Sequence, residues 1–288
     1  MFFEIWYRKK IWCVDSSDES VRKFPGKFLF WESDDQIFFL AVGNKSMTQC
    51  REVVSLYDKT GLSLQPWVAG GYVCFAYDIM NPFPCEHRDG VLFMREDLHD
   101  PAALERLVKR HKGCVKFLSA FPVCTDLSNA GANHWKRKEE ANPDFQRSAA
   151  SHAMACAEFA ERVGAETWYI ENPRGALSKY WRPSNCEIHP YEYGGYLPEN
   201  DEHPLYPEYI PPRDAYKKRT AIWHSDSFTL PPKISVEPIE LEYNSKQKGV
   251  KTYSITAGKL GGGGGQRTKD IRSATPRGWA LAVCRSNQ

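Results

Sequence analysis

The chain has 288 residues, 38 of them basic against 36 acidic, for a formal charge of +2, and 42 % are hydrophobic. That length buries a sizeable core in one large domain with an appendage, and so balanced a charge excludes the overall basic field of a general nucleic-acid binder, leaving only local basic surfaces. Nine cysteines, at positions 13, 50, 74, 85, 114, 124, 156, 186 and 284, form no Cys-x-x-Cys pair and leave one over, which argues against zinc and against a disulfide framework and points to a reducing compartment.

In chain order, "FFEIWY" and "IWCV" about an Arg-Lys-Lys turn, then "KFLFW" and "QIFFLAV" about "ESDD", predict a small β appendage over residues 1–48. The pattern then changes to strand, helix, strand. "EVVSLY", a short helical piece near "LQPWVAGG", "YVCFAYD", "VLFM", a helix over "DPAALERLVKRH", "CVKFLSA", a long helix over "PDFQRSAASHAMACAEFAERVG" and "ETWYI" alternate as in a mostly parallel sheet covered by helices. Residues 190–214, rich in Pro, Tyr and acids, read as an ordered surface loop leading to a last strand "RTAIW". A catalytic core over 49–224 is therefore expected, then a short recognition or linker segment over 225–265 with a few short strands and the run Gly261 to Gly265, then a C-terminal segment 266–288. The opening "MFFEIWYRKK" has no apolar h-region and nowhere do eighteen apolar residues run together, so the expectation is a soluble, cytoplasmic protein.

In such a sheet the carboxyl ends of the strands converge on one crevice. They carry "LYDKTG", Asp78, Asp97, Pro122-Val123-Cys124 and Glu171-Asn172-Pro173. An acid about 20 positions beyond the first turn accepts a ribose diol, and Asp78 stands 20 after Asp58. With Gly61 as the one glycine of that turn, a nucleoside ligand without phosphates fits better than a dinucleotide, S-adenosylmethionine being one. Cys124 at the mouth of an apolar strand and Glu171, 47 residues on, would share the pocket. A thiolate beside a carboxylic acid suits addition to an electron-poor ring such as a pyrimidine, while the bland alternative for Cys124 is a small buried hydrophobe. His134 as an activating base, or "HSD" at 224–226 as a serine triad, lacks the remaining elements.

With these residues collected, the chain resembles the DNA cytosine-5 methyltransferases, most closely small divergent bacteriophage members, over roughly Val53 to Trp223 and Lys269 to Val283. The resemblance implies a Rossmann-like S-adenosylmethionine-dependent methyltransferase sheet with helices on both faces. "SLYDKTGLSLQPWVAGGY" is similar to the first cofactor motif, with Tyr57, Asp58, Thr60 and Gly61 in cofactor-binding places, joined by Asp78 and Asp97. "FPVCTDLS" is similar to the nucleophile motif around Cys124, "ENP" to the motif whose glutamate is here Glu171, and "KKRTAIW" to the arginine motif, with Arg219 contacting the cytosine. "RSATPRGWALAV" resembles the last motif, with Ser273 at the cofactor. Lys59 stands where the family has glycine, Val123 replaces a proline and Ser273 an asparagine. The resemblance implies transfer of a methyl group to C5 of a flipped cytosine in double-stranded DNA, in a host cytoplasm if phage-encoded. Phosphate contacts would come from Lys136-Arg137-Lys138, Arg267 and Lys269. A free pyrimidine nucleotide as substrate, motivated by the short recognition segment, and an inactive DNA-binding homologue, motivated by the three departures, are the alternatives.

Overall fold

The computed structural model describes residues 2–7, 10–15, 27–33, 36–42, 51–245, 249–260 and 265–288. The chain divides into two compact units, Met1–Gln49 and Cys50–Gln288. In the first, β1 (Phe2–Tyr7) pairs antiparallel with β2 (Lys10–Asp15), and β3 (Lys27–Ser33) with β4 (Gln36–Val42). The turn residues Arg8 and Lys9 expected between the first two strands, Asp34 and Asp35 between the second two, and Gly261 to Gly264 lie outside the described residues.

The second unit is built on one eight-stranded sheet. Its parallel centre comprises β5 (Glu52–Leu56), β6 (Val73–Tyr77), β8 (Val91–Met94), β9 (Val115–Ala120) and β10 (Thr167–Pro173), with β7 (Cys85–Arg88) antiparallel at one edge. At the other edge β12 (Thr220–His224) runs antiparallel between β10 and β11 (Cys186–Ile188). The order is β11-β12-β10-β9-β5-β6-β8-β7. Connections leave β5 first toward β6 and β8 and then return to β9 on its other side, so the order reverses between β5 and β9, and that switch point opens a crevice at the carboxyl edge. This is the α/β Rossmann-like sheet expected from the alternation of elements. The central strands read as continuous apolar runs because both faces are covered: Val53, Val54 and Leu56 are fully buried, as are Phe117, Leu118 and Ala120.

On one face lie α1 (Gln65–Ala69) and α8 (Arg277–Asn287). Trp67 stacks on Phe117 at 4.7 Å between centroids, and Trp279 meets Tyr169 edge-on at 5.8 Å, within a core that also takes Val53, Phe93 and Ile222. Each such aromatic contributes roughly 1.5–3 kcal/mol through burial. On the other face lie α2 (Pro101–His111) and α4 (Phe145–Val163). Helix α2 starts where Pro101 presets the first turn and the Asp100 carboxylate accepts the N–H of Ala102 at 2.9 Å. It ends at His111, whose ring joins Tyr77 Oη at 2.7 Å and Glu52 Oε2 at 2.8 Å, so the polar atoms this helix carries inward are satisfied. Between β9 and α4 comes α3 (Trp135–Ala141), and after β10 comes α5 (Leu177–Tyr180). Beyond β12 are the hairpin β13 (Glu240–Ser245) and β14 (Gly249–Ser254), then α6 (Ile255–Leu260) and α7 (Gln266–Ser273).

Two expectations need correction. Residues 190–214 are a surface loop only in part: the middle is irregular and largely exposed, but Tyr193, His203, Ile210 and Asp214 are buried, and 3₁₀ turns at Pro190–Tyr196 and Pro212–Asp214 pack against α8. The Tyr and Pro content that marks a loop also suits a segment whose amphipathic rings fill space, as Tyr193 does against Trp279 at 4.9 Å. Glu171, Asn172 and Pro173 do not follow the fifth strand but belong to it, because β12 continues the pairing out to Pro173 opposite Thr220.

Candidate functional site

The loop leaving β5 is organised from within. The Asp58 carboxylate, buried, accepts the N–H groups of Thr60 (3.1 Å) and Gly61 (2.7 Å) and the hydroxyls of Thr60 (3.1 Å), Ser55 (3.0 Å) and Ser63 (2.6 Å). Thr60 Oγ1 also accepts from Leu62 N at 3.3 Å. Gly61 has φ +68°, and a Cβ there would lie 2.6 Å from the Phe93 ring, so both the backbone and the space demand glycine. Asp58, Thr60 and Gly61 thus shape the turn and have little capacity left for a ligand. Lys59 reaches across to Asp270 of α7 at 2.8 Å, which ties the C-terminal segment to this loop. Ser273, exposed at the end of α7, donates to the carbonyl of Asp270 in its own helix at 3.1 Å.

A second group faces the same edge. Asp78, half-buried at the end of β6, accepts Met80 N at 2.7 Å through one carboxylate oxygen, and Asp97 accepts His99 N at 2.9 Å through one of its own. The other oxygen of each has no hydrogen bond among the described residues. Burial, then the Asp58 and Asp270 charges against that of Lys59 and the Met80 bond, hold the Asp78 carboxyl above its ordinary value. The Tyr57 ring lies 5.8 Å from that of His99, which stacks on His152 at 3.6 Å and 8°. Burial and the neighbouring His99 hold His152 below the ordinary histidine range, so at neutral pH it is an uncharged aromatic surface. A cavity of about 230 Å³ opens beside this pair, reaching Val123 and Asp126.

The third group surrounds Cys124. Its carbonyl accepts Leu127 N (3.0 Å) and Ser128 N (2.9 Å), closing a tight turn just beyond β9. That turn is pinned on three sides: Pro122 O accepts from Asn172 Nδ2 at 3.1 Å, Asp126 O accepts from Gln146 Nε2 at 3.1 Å and Leu127 O accepts from Ala176 N at 2.7 Å. Lys138 pairs with the Asp126 carboxylate, which takes it out of the basic run expected to contact phosphates. Gly175 bridges to Ser128 so closely that any Cβ would overlap the Leu127 carbonyl. Asn172 Oδ1 is buried with no partner among the described residues.

Because β9 and β10 are adjacent and parallel, Cys124 and Glu171 come to the same place, although nothing local in the chain joins them. Glu171, 7 % exposed, is met by Lys218 Nζ at 3.4 Å. Arg219 is not there: it is exposed and pairs with Glu187, alongside Arg174. The reason is parity. Residues directly opposite in an antiparallel pair share a face and alternate residues along a strand share it too, so Glu171, opposite Ile222, shares its face with Lys218, while Arg219 falls in phase with Ala221 and its partner Glu187. Lys218 is the residue that sequence reasoning missed, and the two-residue alternation back from Ile222 was the available signal.

Burial pushes the Cys124 thiol above its ordinary value, Lys218 pulls it down and Glu171 pushes it up. The resting side chain is therefore a thiol at neutral pH, with a cation and an anion in opposition beside it. Replacing Lys218 by Met is expected to slow iodoacetamide alkylation at Cys124, because losing the cation raises the thiol further, and Glu171→Gln is expected to speed it, because losing the anion lowers it. Peptide mass spectrometry resolved at Cys124 over a pH series checks both signs, and two shifts in the same direction contradict this arrangement.

No family model matches the chain, and no curated protein matches it. Among solved structures, one from Escherichia coli, a prophage-encoded protein provisionally described as a DNA modification methyltransferase, matches with a TM-score of 0.36 and 11 % identity, over 65 % of this chain and 52 % of that one. The chain thus spans about half the length of that protein. A likeness of this level says nothing about activity; the order of the chain's own strands makes it an α/β Rossmann-like fold.

Proposed function

We propose that the protein transfers a methyl group from S-adenosylmethionine to C5 of cytosine in DNA, through a covalent adduct of Cys124 on a base turned out of the duplex. The observation that carries this reading is the meeting of Cys124 and Glu171 at the ends of adjacent parallel strands, with the Lys218 charge acting on both. In this mechanism the Cys124 thiol gives its proton to the Glu171 carboxylate as the sulfur adds to C6 of the ring, and Glu171 passes that proton to N3, which makes C5 nucleophilic. Lys218 favours the thiolate and balances the Glu171 carboxylate before the base arrives. Once C5 carries the methyl group, a water takes the C5 proton, the electron pair left behind closes the C5–C6 double bond as the C6–S bond breaks, and N3 returns its proton to Glu171. Extruding the base costs a few kcal/mol, offset by contacts with its edge in the pocket.

The residues fit the donor. Tyr57 supplies a face at the switch point, and Asp78 and Asp97 each keep an oxygen for a ribose diol or an adenine amine. When bound, S-adenosylmethionine supplies an electrophilic methyl group, and these three residues hold it. Asp58, Thr60 and Gly61 contribute by shaping the loop, and the Lys59–Asp270 pair by bringing α7 to that edge. Replacing Asp78 by Ala is expected to weaken S-adenosylmethionine binding by about 1–3 kcal/mol, the usual scale for leaving a buried polar partner unmatched; unchanged affinity by calorimetry would move the ribose site elsewhere.

The deciding experiment is nucleoside mass spectrometry of DNA incubated with the protein and S-adenosylmethionine. The expected product is 5-methylcytosine. Methylation of a free pyrimidine nucleotide but not of DNA would make the nucleotide the substrate, and no transfer to either, with the cofactor bound, would leave an inactive homologue.

A further inference from the structure

A second cavity lies against the Cys124 turn, and the proposed chemistry at C5 does not use it. It has a volume of about 370 Å³, at the small end of the range for small-molecule pockets, and Trp135, Phe145 and Tyr180 line it from α3, α4 and α5. Asn129, Glu139 and Lys179 also line it. The amide of Asn129, the carboxylate of Glu139 and the ammonium of Lys179 make no hydrogen bond or ion pair among the described residues. Lys179 lies 5.2 Å over the Tyr180 ring. At the entrance to α3, Lys136 and Arg137 are exposed and have no ion pair among the described residues.

The cavity is mechanically joined to the nucleophile. Gln146 accepts the Tyr180 hydroxyl at 3.1 Å and donates to Asp126 O at 3.1 Å, so one amide links an aromatic wall of the cavity to the turn that bears Cys124. At the start of the same helix, α5, Ala176 N donates to Leu127 O of that turn at 2.7 Å.

We infer that this cavity receives an unpaired nucleobase next to the cytosine that meets Cys124. The inference rests on the reading of DNA as the substrate. Aromatic rings stack on any base, and uncommitted Asn and carboxylate groups read its edge. A carboxylate such as Glu139 selects a base with paired N–H donors, which guanine presents at N1 and its 2-amino group. Lys179, Lys136 and Arg137 are placed for the phosphates on either side. The cavity thus adds sequence preference from a wall of the catalytic unit, independent of the short segment after β12.

Duplex oligonucleotides with 5-fluorocytosine in a randomised context, incubated with the full chain and S-adenosylmethionine, test this. Denaturation-resistant adducts are isolated and the trapped strands sequenced. The wild type should enrich guanine at one position beside the trapped cytosine. Glu139→Gln, an exposed and conservative change, should lower that preference about tenfold, trapping fewer strands with guanine at that position while strands with other bases there are trapped as by the wild type. An abasic site at the same position should lower trapping by the wild type about tenfold, a measurement that needs no altered protein. Adducts with no preference at any neighbouring position, or a preference that Glu139→Gln leaves intact, overturn the inference while the methyl-transfer reading stands. A complete absence of adducts in every pool overturns both.

Discussion

Replacing Cys124 by Ala is expected to abolish both product and adduct while the fold survives. The turn depends on the backbone at this position, whose carbonyl accepts Leu127 N and Ser128 N, and on Pro122, Asp126 and Leu127, none of which needs the thiol. The melting temperature and the affinity for S-adenosylmethionine should therefore stay close to wild type, while the covalent step loses its nucleophile. The 5-fluorocytosine trap makes this a yes-or-no readout. Fluorine at C5 cannot leave as a proton does, so a wild-type adduct that has taken the methyl group cannot eliminate the sulfur, and it accumulates. Cys124→Ala should give none under the same conditions. Residual turnover within about tenfold of wild type, near 1.4 kcal/mol in the barrier, would take Cys124 out of the mechanism. Of the other cysteines, Cys74, Cys156 and Cys284 are buried. Burial pushes all three thiols up, and none stands at the carboxyl edge with a carboxylic acid and a lysine beside it.

The largest loss of stability is expected at Arg277, which heads α8. Its guanidinium holds Asp201 with two bonds of 2.7 and 2.6 Å, reaches Asp214 at 3.4 Å and donates to Glu202 O at 3.1 Å. Asp214 is 1 % exposed and also accepts Gly278 N at 3.0 Å, while Asp201 accepts Arg213 N at 2.7 Å. Arg213 and Asp214 sit at φ +57° and +47°, the left-handed region that costs a non-glycine residue about 1–3 kcal/mol. The same carboxylates therefore hold the helix start and a strained turn together. Arg277→Met leaves two carboxylates without their cation, one of them fully buried, and should cost about 3–5 kcal/mol in denaturant unfolding. Adding Asp214→Asn to that variant should recover part of the loss, because the uncompensated buried charge is gone. A single-variant loss below about 1 kcal/mol would mean that solvent already satisfies the cluster.

The two regions these predictions probe were unequally visible in the chain. The cysteine proposed as nucleophile could be read locally. Central parallel strands are buried on both faces, so "EVVSL", "VCFAY" and "VKFLSA" appear as short apolar runs, and a proline and cysteine after the last of them mark a strand mouth in any sheet of this class. Helices α2 and α4 were equally plain, since an amphipathic period over eleven or nineteen residues leaves little choice. The meeting of Cys124 with Glu171 followed from the class of sheet, because parallel neighbours end on one edge.

What local pattern did not reveal were the contacts set by register and by distant packing. A Lys-Lys-Arg run carries charge at every position, and only the pairing of β10 with β12 turns Lys218 to Glu171 and Arg219 to Glu187. Asp58 looked like a ligand for the cofactor, yet its five hydrogen bonds come largely from a loop folding back on itself, a geometry composition does not announce. The edge strands β7 and β11, four and three residues long, are too short for any period to show. Within 190–214, Tyr193 is buried because Trp279, more than sixty positions later, packs on it, and α8 can approach so closely because Gly278 has no Cβ to meet the Tyr193 carbonyl. Backbone propensity and apolar period act over a few residues, so the chain alone specifies the elements and the strand mouth that holds the thiol; which charges face that thiol depends on pairings across the sheet, and these exist only once the whole unit has folded.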